Sequence, residues 1–127
     1  MNAKNFIVGG IVGGIVNFLL GWVFYAKLFP NIYPESAETK LEFIALGCFT
    51  FGFFVSYIFN KWAGISNPIT GLYAGAVIGL FNGLSMNFYI FSNKTLNIES
   101  MITDIVINII IGAIIGSAVA FVNRKMK

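Results

Sequence analysis

Four long apolar runs divide the chain, and each is bounded by charged positions. The intervals without Asp, Glu, Lys or Arg lie between Lys4 and Lys27, Glu42 and Lys61, Lys61 and Lys94, and Asp104 and Arg124. They hold 22, 18, 32 and 19 residues. A bilayer core of about 30 Å is crossed by about 20 helical residues, so each interval has room for one span. The pattern predicts transmembrane helices over about 5–28, 42–60, 69–92 and 101–123.

The continuity of these runs separates a helical membrane protein from a transmembrane barrel, whose strands alternate apolar and polar positions. Composition agrees, because 57% of residues are hydrophobic, 10% are charged and mean hydropathy is +0.83. Soluble domains average about 25% charged residues. The expected fold class is all-α, an integral membrane bundle of four helices forming one domain over residues 1–127, in contact with membrane lipid.

Basic residues are divided unequally between the two ends of this predicted bundle. One end receives five cations and no carboxylate: Lys4, Lys61, Arg124, Lys125 and Lys127. The other end receives three lysines and all five carboxylates. The positive-inside rule then places both termini in the cytoplasm and the chain in the cytoplasmic (inner) membrane as a multi-pass protein. The net charge of +3 indicates orientation, and three terminal cations are too few for a nucleic-acid partner.

Small residues recur at spacings of three and four in every predicted helix. Because an α-helix has 3.6 residues per turn, such spacings keep them on one face. In lipid, helices associate by close backbone packing and polar contacts, which favours small residues at the interface. The glycines expected at helix interfaces are Gly10, Gly14, Gly21, Gly52, Gly71, Gly75, Gly79, Gly83, Gly112 and Gly116.

Asparagines lie among these small residues. Asn17 and Asn82 fall near the middle of their spans, where an unpaired amide in hydrocarbon costs several kcal/mol. Two interpretations stay open. The amides pair with each other or with backbone across a helix interface, or, together with Asn87 and Asn108 nearer the outer side, they line a polar track.

Two carboxylates mark the start of the last span. Asn97 is a suitable N-cap, and Glu99 falls in the first turn, where acids are favoured by the helix dipole. Asp104 lies about two turns into the helix, at headgroup depth on the outer face. An interfacial role and a binding role both stay open for Asp104.

The two halves of the chain show a faint internal similarity. At an offset of 65 residues, Gly10, Val12, Gly14 and Asn17 match Gly75, Val77, Gly79 and Asn82. Both halves begin on the same side, so a duplication would give a parallel repeat of two hairpins. Chance remains the alternative in a glycine-rich chain.

Short motifs resemble those of a family of small uncharacterised bacterial four-helix membrane proteins. "GWVFYAKLF" at 21–29 supplies a glycine, an aromatic pair with tyrosine and a leucine-phenylalanine: Gly21, Phe24, Tyr25, Leu28 and Phe29. "LNIESMITD" at 96–104 supplies the acidic residue near the start of the last helix, Asp104. The resemblance implies the four-helix architecture and brings no established activity.

The residue types present restrict the function. The chain has no histidine and one cysteine, so it lacks paired thiols and a metal-ligand cluster, and neither an enzyme nor a metal or other cofactor is expected. The four-helix small multidrug transporters use an ionisable group within the spans, and none lies near the middle here. The phenylalanine and threonine-serine pattern of fluoride channels is also missing.

Two functions stay open. The first is a non-catalytic membrane protein that forms a homo-oligomer, or packs against a membrane-protein partner, through its small-residue faces. The second is a passive channel or facilitator for a small solute or ion along the track of Asn17, Asn82, Asn87 and Asn108.

Overall fold

The computed structural model describes residues 3–24, 41–92 and 95–125, and all regular structure within them is helical. Four long helices follow one another: α1 Ala3–Gly21, α2 Leu41–Ile58, α3 Pro68–Phe91 and α4 Ile98–Lys125. All four are long and apolar enough to cross a membrane. The prediction of an all-α chain with four long helices is confirmed.

The connection between α2 and α3 is set by local sequence. A π-helical turn, Phe59–Ala63, continues α2 and ends at Gly64, whose φ of 60° is the left-handed conformation that glycine adopts without a Cβ clash. Asn67 then caps α3, because its side chain accepts a hydrogen bond from the Ile69 N–H at 2.9 Å. Pro68 occupies the first helical position, where no N–H is needed.

Helix bounds differ from the predicted ones mainly at the ends. The first α-helix stops at Gly21, where the prediction continued to 28. Residues 22–24 form a π-helical turn, and 25–28 lie outside the described residues. The second span is longer than predicted because the π-helical turn extends it past 60.

The last helix begins three residues before the predicted start at 101. Asn97 causes this early start, since its Oδ1 accepts a hydrogen bond from the Ser100 N–H at 3.2 Å. Asn97 is therefore the N-cap that the sequence predicted, and Glu99 lies in the first turn.

The helices pack as two hairpins joined through α4. α1 packs against α2, and α3 packs against α4, while α4 also contacts α1 and, over a shorter stretch, α2. The buried apolar core comes from α2, the π-helical turn and one face of α4: Val55, Phe59, Ile107, Ile111, Ile115, Val119 and Ala120. α4 is thus the central helix, whereas α3 is held predominantly by α4 alone.

Glycines bring the backbones of α3 and α4 into direct contact. A Cβ built on Gly71 would overlap the Gly116 carbonyl oxygen, and one built on Gly75 would overlap that of Gly112. Gly112 and Gly116 are blocked reciprocally by the carbonyls of α3. Side chains at these positions would force the helices apart, so this α3–α4 seam depends on their being glycine.

The α1–α2 interface uses a different arrangement. The rings of Phe53 and Phe49 lie over Gly10 and Gly14, and Gly52 packs on the backbone of α1. Gly9 and Gly13, which were absent from the predicted set, are also buried; a Cβ on Gly13 would lie 3.2 Å from the Gly52 Cα. α1 therefore presents two adjacent glycine lines, one toward the rings of α2 and one toward Gly52 and α4.

Gly21 departs from its predicted packing role. A Cβ built there would have no atom of the described residues within 4 Å. Its spacing from Gly10 and Gly14 matches a helical face. However, Gly21 is the last residue of α1, and no neighbouring helix of the described residues reaches it. The prediction for Gly21 is wrong for the part of the chain that the structure describes.

The two hairpins have different surroundings. α1 lies against both α2 and α4, whereas α3 lies predominantly against α4. The matched segments around Gly10 and Gly75 therefore meet different partners, a Phe53 ring in one case and a backbone carbonyl in the other. The parallel repeat stays a prediction from sequence, because the two matched segments do not pack against their neighbours in equivalent ways.

Candidate polar site between the third and fourth helices

The closest contacts in the seam between α3 and α4 change from backbone to side chain toward one end. Backbone contact holds at Gly71, Gly75 and Gly79, where a built Cβ would overlap a carbonyl oxygen of α4. At Gly83 the nearest atom to such a Cβ is the Asn108 Cβ, at 3.1 Å. Toward the end where α3 leads into α4, here called the turn end, the closest contacts of the seam therefore include side chains as well as backbone.

Polar side chains lie in the seam at the turn end. Asn82 and Asn87 come from α3, and Asp104 and Asn108 come from α4; these four residues are here called the polar cluster. Asp104 and Asn87 are 1% and 2% exposed, while Asn82 and Asn108 are half-buried. On α4 the two positions lie four residues apart and share a face, whereas on α3 they lie five apart, about 140° around the helix, on either side of Gly83.

The shortest contact of the polar cluster joins the two most buried members. The Asn87 Nδ2 donates to the Asp104 Oδ2 at 2.7 Å and also to the Gly83 carbonyl, one turn earlier on α3, at 2.8 Å. Both amide hydrogens of Asn87 are thereby engaged. A hydrogen bond from an amide to a carboxylate is among the stronger neutral-to-charged contacts, so Asn87 positions Asp104 within the seam.

The second pair extends the polar cluster toward the glycines. The Asn108 Nδ2 donates to the Asp104 backbone carbonyl at 2.8 Å, and the Asn82 Nδ2 donates to the Asn108 Oδ1 at 3.3 Å. The backbone carbonyl of Asn108 also lies against Gly79 of α3. The polar cluster therefore ends at Gly79, where the backbones of α3 and α4 come into contact.

Position along the helices places the polar cluster near the turn end. Asp104 follows Ile98 by six residues and precedes Arg124 by 20. At 1.5 Å per residue these separations are about 9 Å and about 30 Å. Exposed Lys4, Lys61 and Arg124 lie at the opposite end, here called the basic end.

The predicted track of four asparagines is divided by the fold. Asn82, Asn87 and Asn108 come together, but Asn17 lies at the other hairpin, where its Nδ2 donates to the Cys48 carbonyl at 3.3 Å. Asn17 and Asn82 therefore do not pair with each other; each finds a partner on its own neighbouring helix. The expectation of one track through all four is wrong for the described residues, because the Asn17 amide is engaged by α2 whereas the other three asparagines lie at the α3–α4 seam.

The predicted acidic pair is also divided. Glu99 is exposed in the first turn of α4, and its backbone carbonyl accepts a hydrogen bond from the Thr103 hydroxyl at 2.8 Å. Asp104 is instead buried in the seam beside Asn87. In the sequence, Asp104 and Asn108 are spaced by four residues on α4, as Gly83 and Asn87 are on α3, but such spacing only places each pair on one face of its own helix.

Other polar contacts join neighbouring elements near the basic end. The Ser56 hydroxyl donates to the Phe6 carbonyl at 2.8 Å, which joins α2 to α1. The Asn123 Nδ2 donates to the Ile65 carbonyl at 3.0 Å, which joins α4 to the connection that follows Gly64. These contacts satisfy polar groups at helix ends and were not predicted, because a backbone carbonyl has no sequence signature.

The chemistry available at the polar cluster is that of one carboxylate and three amides. In the part of the chain that the structure describes, no group of three His, Cys, Asp or Glu side chains could hold a metal ion. Comparison with family models, curated proteins and solved structures finds no match. The resemblance to a family of small four-helix membrane proteins stays a prediction, and function has to be argued from the packing and the polar cluster.

Proposed function

We propose that this protein is a non-catalytic membrane protein that crosses the cytoplasmic membrane four times and acts by association with another membrane chain. Four sufficiently long apolar helices support the location. Large side chains on their outward faces, such as Leu46, Phe54 and Phe81, are more than half exposed. Lipid accommodates such surfaces, whereas water disfavours them. The exposed cations at the basic end support cytoplasmic termini.

The asymmetric packing of α3 is the observation that carries the proposed association. Its glycine line is engaged by α4, so the small-residue face that the sequence suggested for oligomer contacts is used within the chain. The opposite side of α3 presents Tyr73, Val77 and Phe81, which are 68%, 52% and 65% exposed. A partner would therefore meet α3 on this free side.

We assign the free side of α3 to a second copy of the chain. α1 lies between two helices, whereas α3 has one principal neighbour. A two-fold axis would supply the second neighbour from the same surface of another copy, which is the usual symmetry of homodimers. Lipid is the competing occupant, because apolar side chains gain little by leaving acyl chains.

Cysteine cross-linking in native membranes tests this assignment. Cys48 is the only cysteine, so Cys48→Ala gives a background in which Phe81→Cys introduces one thiol on the free side. We expect oxidation to yield a disulfide-linked dimer in most of the Phe81→Cys protein. Ile15→Cys is the matched control, since Ile15 is 45% exposed on α1 at a similar distance along its helix. Monomer alone with Phe81→Cys, or equal dimer from both variants, would contradict the proposal.

A passive facilitator is the second candidate, and the polar cluster is the observation that favours it. Ionisable and amide side chains inside a membrane bundle often mark ion or solute sites. The closure of the seam at Gly79 and Gly75 weighs against a continuous route between α3 and α4. We therefore place facilitation second.

A further inference from the structure

We propose that Arg124 and Lys125, in the last turn of α4, bind the phosphate of an anionic phospholipid of the cytoplasmic leaflet. An acyl chain of the same lipid lies on an exposed apolar face of α4. The inference rests on the membrane location given in the proposed function and is independent of association through α3. It assigns a partner to cations that the positive-inside rule explains only as an orientation signal.

An exposed apolar face of α4 leads directly to these cations. Ile110, Ile114 and Phe121 are all exposed, and their spacings of four and seven residues keep them within about 40° of one direction around the helix. α3 lies against Gly116 and α1 against Val119, so these two neighbours occupy other sides of α4. Ile110, Ile114 and Phe121 are here called the open face.

The Lys125 ammonium lies beside the open face. Its Nζ is 5.5 Å from the centroid of the Phe121 ring, a cation–π contact across one turn of α4. The side chain therefore reaches back along the helix, as long basic side chains do at a membrane interface. This position favours an anion, because the free carbonyls at a helix C-terminus carry partial negative charge. Beside Phe121 the positive charge lies at the flank of the helix and not beyond its end.

Arg124 adds a second cation next to Lys125. Its side chain is exposed, and a guanidinium can bind a phosphate through two parallel hydrogen bonds. Among the described residues the carboxylates are Glu42, Glu99 and Asp104, and all lie in the first two turns of α2 or α4. Asp104 and Arg124 are 20 positions apart on α4, which is about 30 Å. These carboxylates are therefore too distant to neutralise the two cations.

The combination of charge and apolar surface selects a lipid as the ligand. A free phosphate ester would use the cations alone, whereas a phospholipid also covers the open face with an acyl chain. Basic side chains just cytoplasmic of a transmembrane helix attract anionic headgroups. A zwitterionic phospholipid has no net charge, so the site should prefer an anionic one.

Fluorescence quenching by brominated lipids in reconstituted vesicles tests the site locally. Trp22 and Trp62, the two tryptophans, are replaced by Phe, and Phe121→Trp then places one fluorophore on the open face. The vesicles are phosphatidylcholine with a minor fraction of brominated phosphatidylglycerol or, in parallel, brominated phosphatidylcholine. We expect the brominated phosphatidylglycerol to quench at least about threefold more strongly, because the cations enrich anionic lipid. Phe54→Trp is the matched control, since Phe54 is also half exposed but lies on α2, and the two lipids should quench it equally.

Single charge removals identify the residues responsible. In the Phe121→Trp background, Arg124→Gln should at least halve the preference for phosphatidylglycerol. Lys61→Gln removes one exposed cation from the same end but from the π-helical turn, and should leave the preference unchanged. Equal quenching by the two lipids in the Phe121→Trp chain, or equal losses from Arg124→Gln and Lys61→Gln, would overturn the proposal.

Two further outcomes separate the lipid from its alternatives. Relief of quenching by excess glycerol 3-phosphate would show that a free phosphate ester is the ligand and would refute the lipid assignment. Absence of quenching by brominated phosphatidylcholine in both the Phe121→Trp and Phe54→Trp chains would overturn the membrane location itself, and the lipid site with it.

Discussion

At the scale of single residues, burial decides what each polar side chain does. Glu99 and Asp104 are five positions apart on α4, yet Glu99 is exposed and Asp104 is 1% exposed. A buried carboxylate depends on hydrogen bonds that an exposed one obtains from solvent. The Asn87 Nδ2, at 2.7 Å, supplies one of these bonds. Among substitutions in α3, removal of the Asn87 amide should therefore destabilise the buried Asp104 carboxylate most.

Asn87→Ala tests that dependence. Removing one partner of a buried hydrogen bond costs about 1–3 kcal/mol, and more beside a charged group. We expect the free energy of unfolding in mixed micelles to fall by about 2 kcal/mol, from denaturant titration followed by circular dichroism. Phe88→Leu changes the adjacent residue, which is 63% exposed, and should have a much smaller effect. Equal losses in the two variants would show that Asn87 has no special role.

At the scale of helices, the chain uses its glycines in two ways. Between α3 and α4 they permit backbone-to-backbone contact, whereas on α1 the lines at Gly10 and Gly14 receive the rings of Phe53 and Phe49. A ring can turn aside when its neighbour grows, but a carbonyl of the facing helix moves only with the helix. Substitutions should therefore be tolerated less well in α3 than at Gly10 or Gly14.

Gly75→Val tests the α3–α4 contact, because any Cβ at this position overlaps the Gly112 carbonyl oxygen. We expect a loss of about 3 kcal/mol in the free energy of unfolding, near the upper end for overpacked sites. Gly47→Val is the matched control on α2, where a built Cβ meets no atom of the described residues within 4 Å. The same unfolding titration compares the two. Tolerance of Gly75→Val equal to that of Gly47→Val would mean that the stability of the bundle does not depend on the α3–α4 backbone contact.

At the scale of the whole molecule, α4 organises the fold. It contacts α1, α2 and α3 and supplies most of the buried core, whereas α3 is attached at one edge. The two polar regions are therefore separate: Asn17 belongs to the α1–α2 hairpin and the polar cluster belongs to α3 and α4. Separation of these regions argues against conduction across the molecule.

Flux through reconstituted protein tests that conclusion. We expect liposomes containing the protein to release small ions and neutral solutes no faster than empty liposomes, because the seam closes at Gly75 and Gly79. The facilitator function predicts the opposite, with flux abolished by Asn82→Leu and retained in Phe81→Leu. Flux with that pattern, measured by dye quenching and light scattering, would favour the facilitator over association alone.

The candidate site was less predictable than the fold. Three of its four members, Asn82, Asn87 and Asn108, were singled out as polar positions within the spans, and Asp104 was identified as an acid near the outer boundary. The three asparagines were grouped, with Asn17, on one possible polar track, but the addition of Asp104 to them and the separation of Asn17 were not predicted. An amide can pair with any nearby donor or acceptor, so its partner depends on the facing helix and on the register between the two.

The sequence by itself determined the helices, their number and the residues small enough for close contact. These features follow from local properties, since apolar length sets a span and a spacing of four sets a face. Only the tertiary structure decided that Gly75 meets Gly112, that Gly21 meets no described neighbour and that Asp104 is buried against Asn87. The reason is physical: which face meets which helix depends on the packing of all four together, and helices that are apolar on every side show no single face that could be identified from one helix alone.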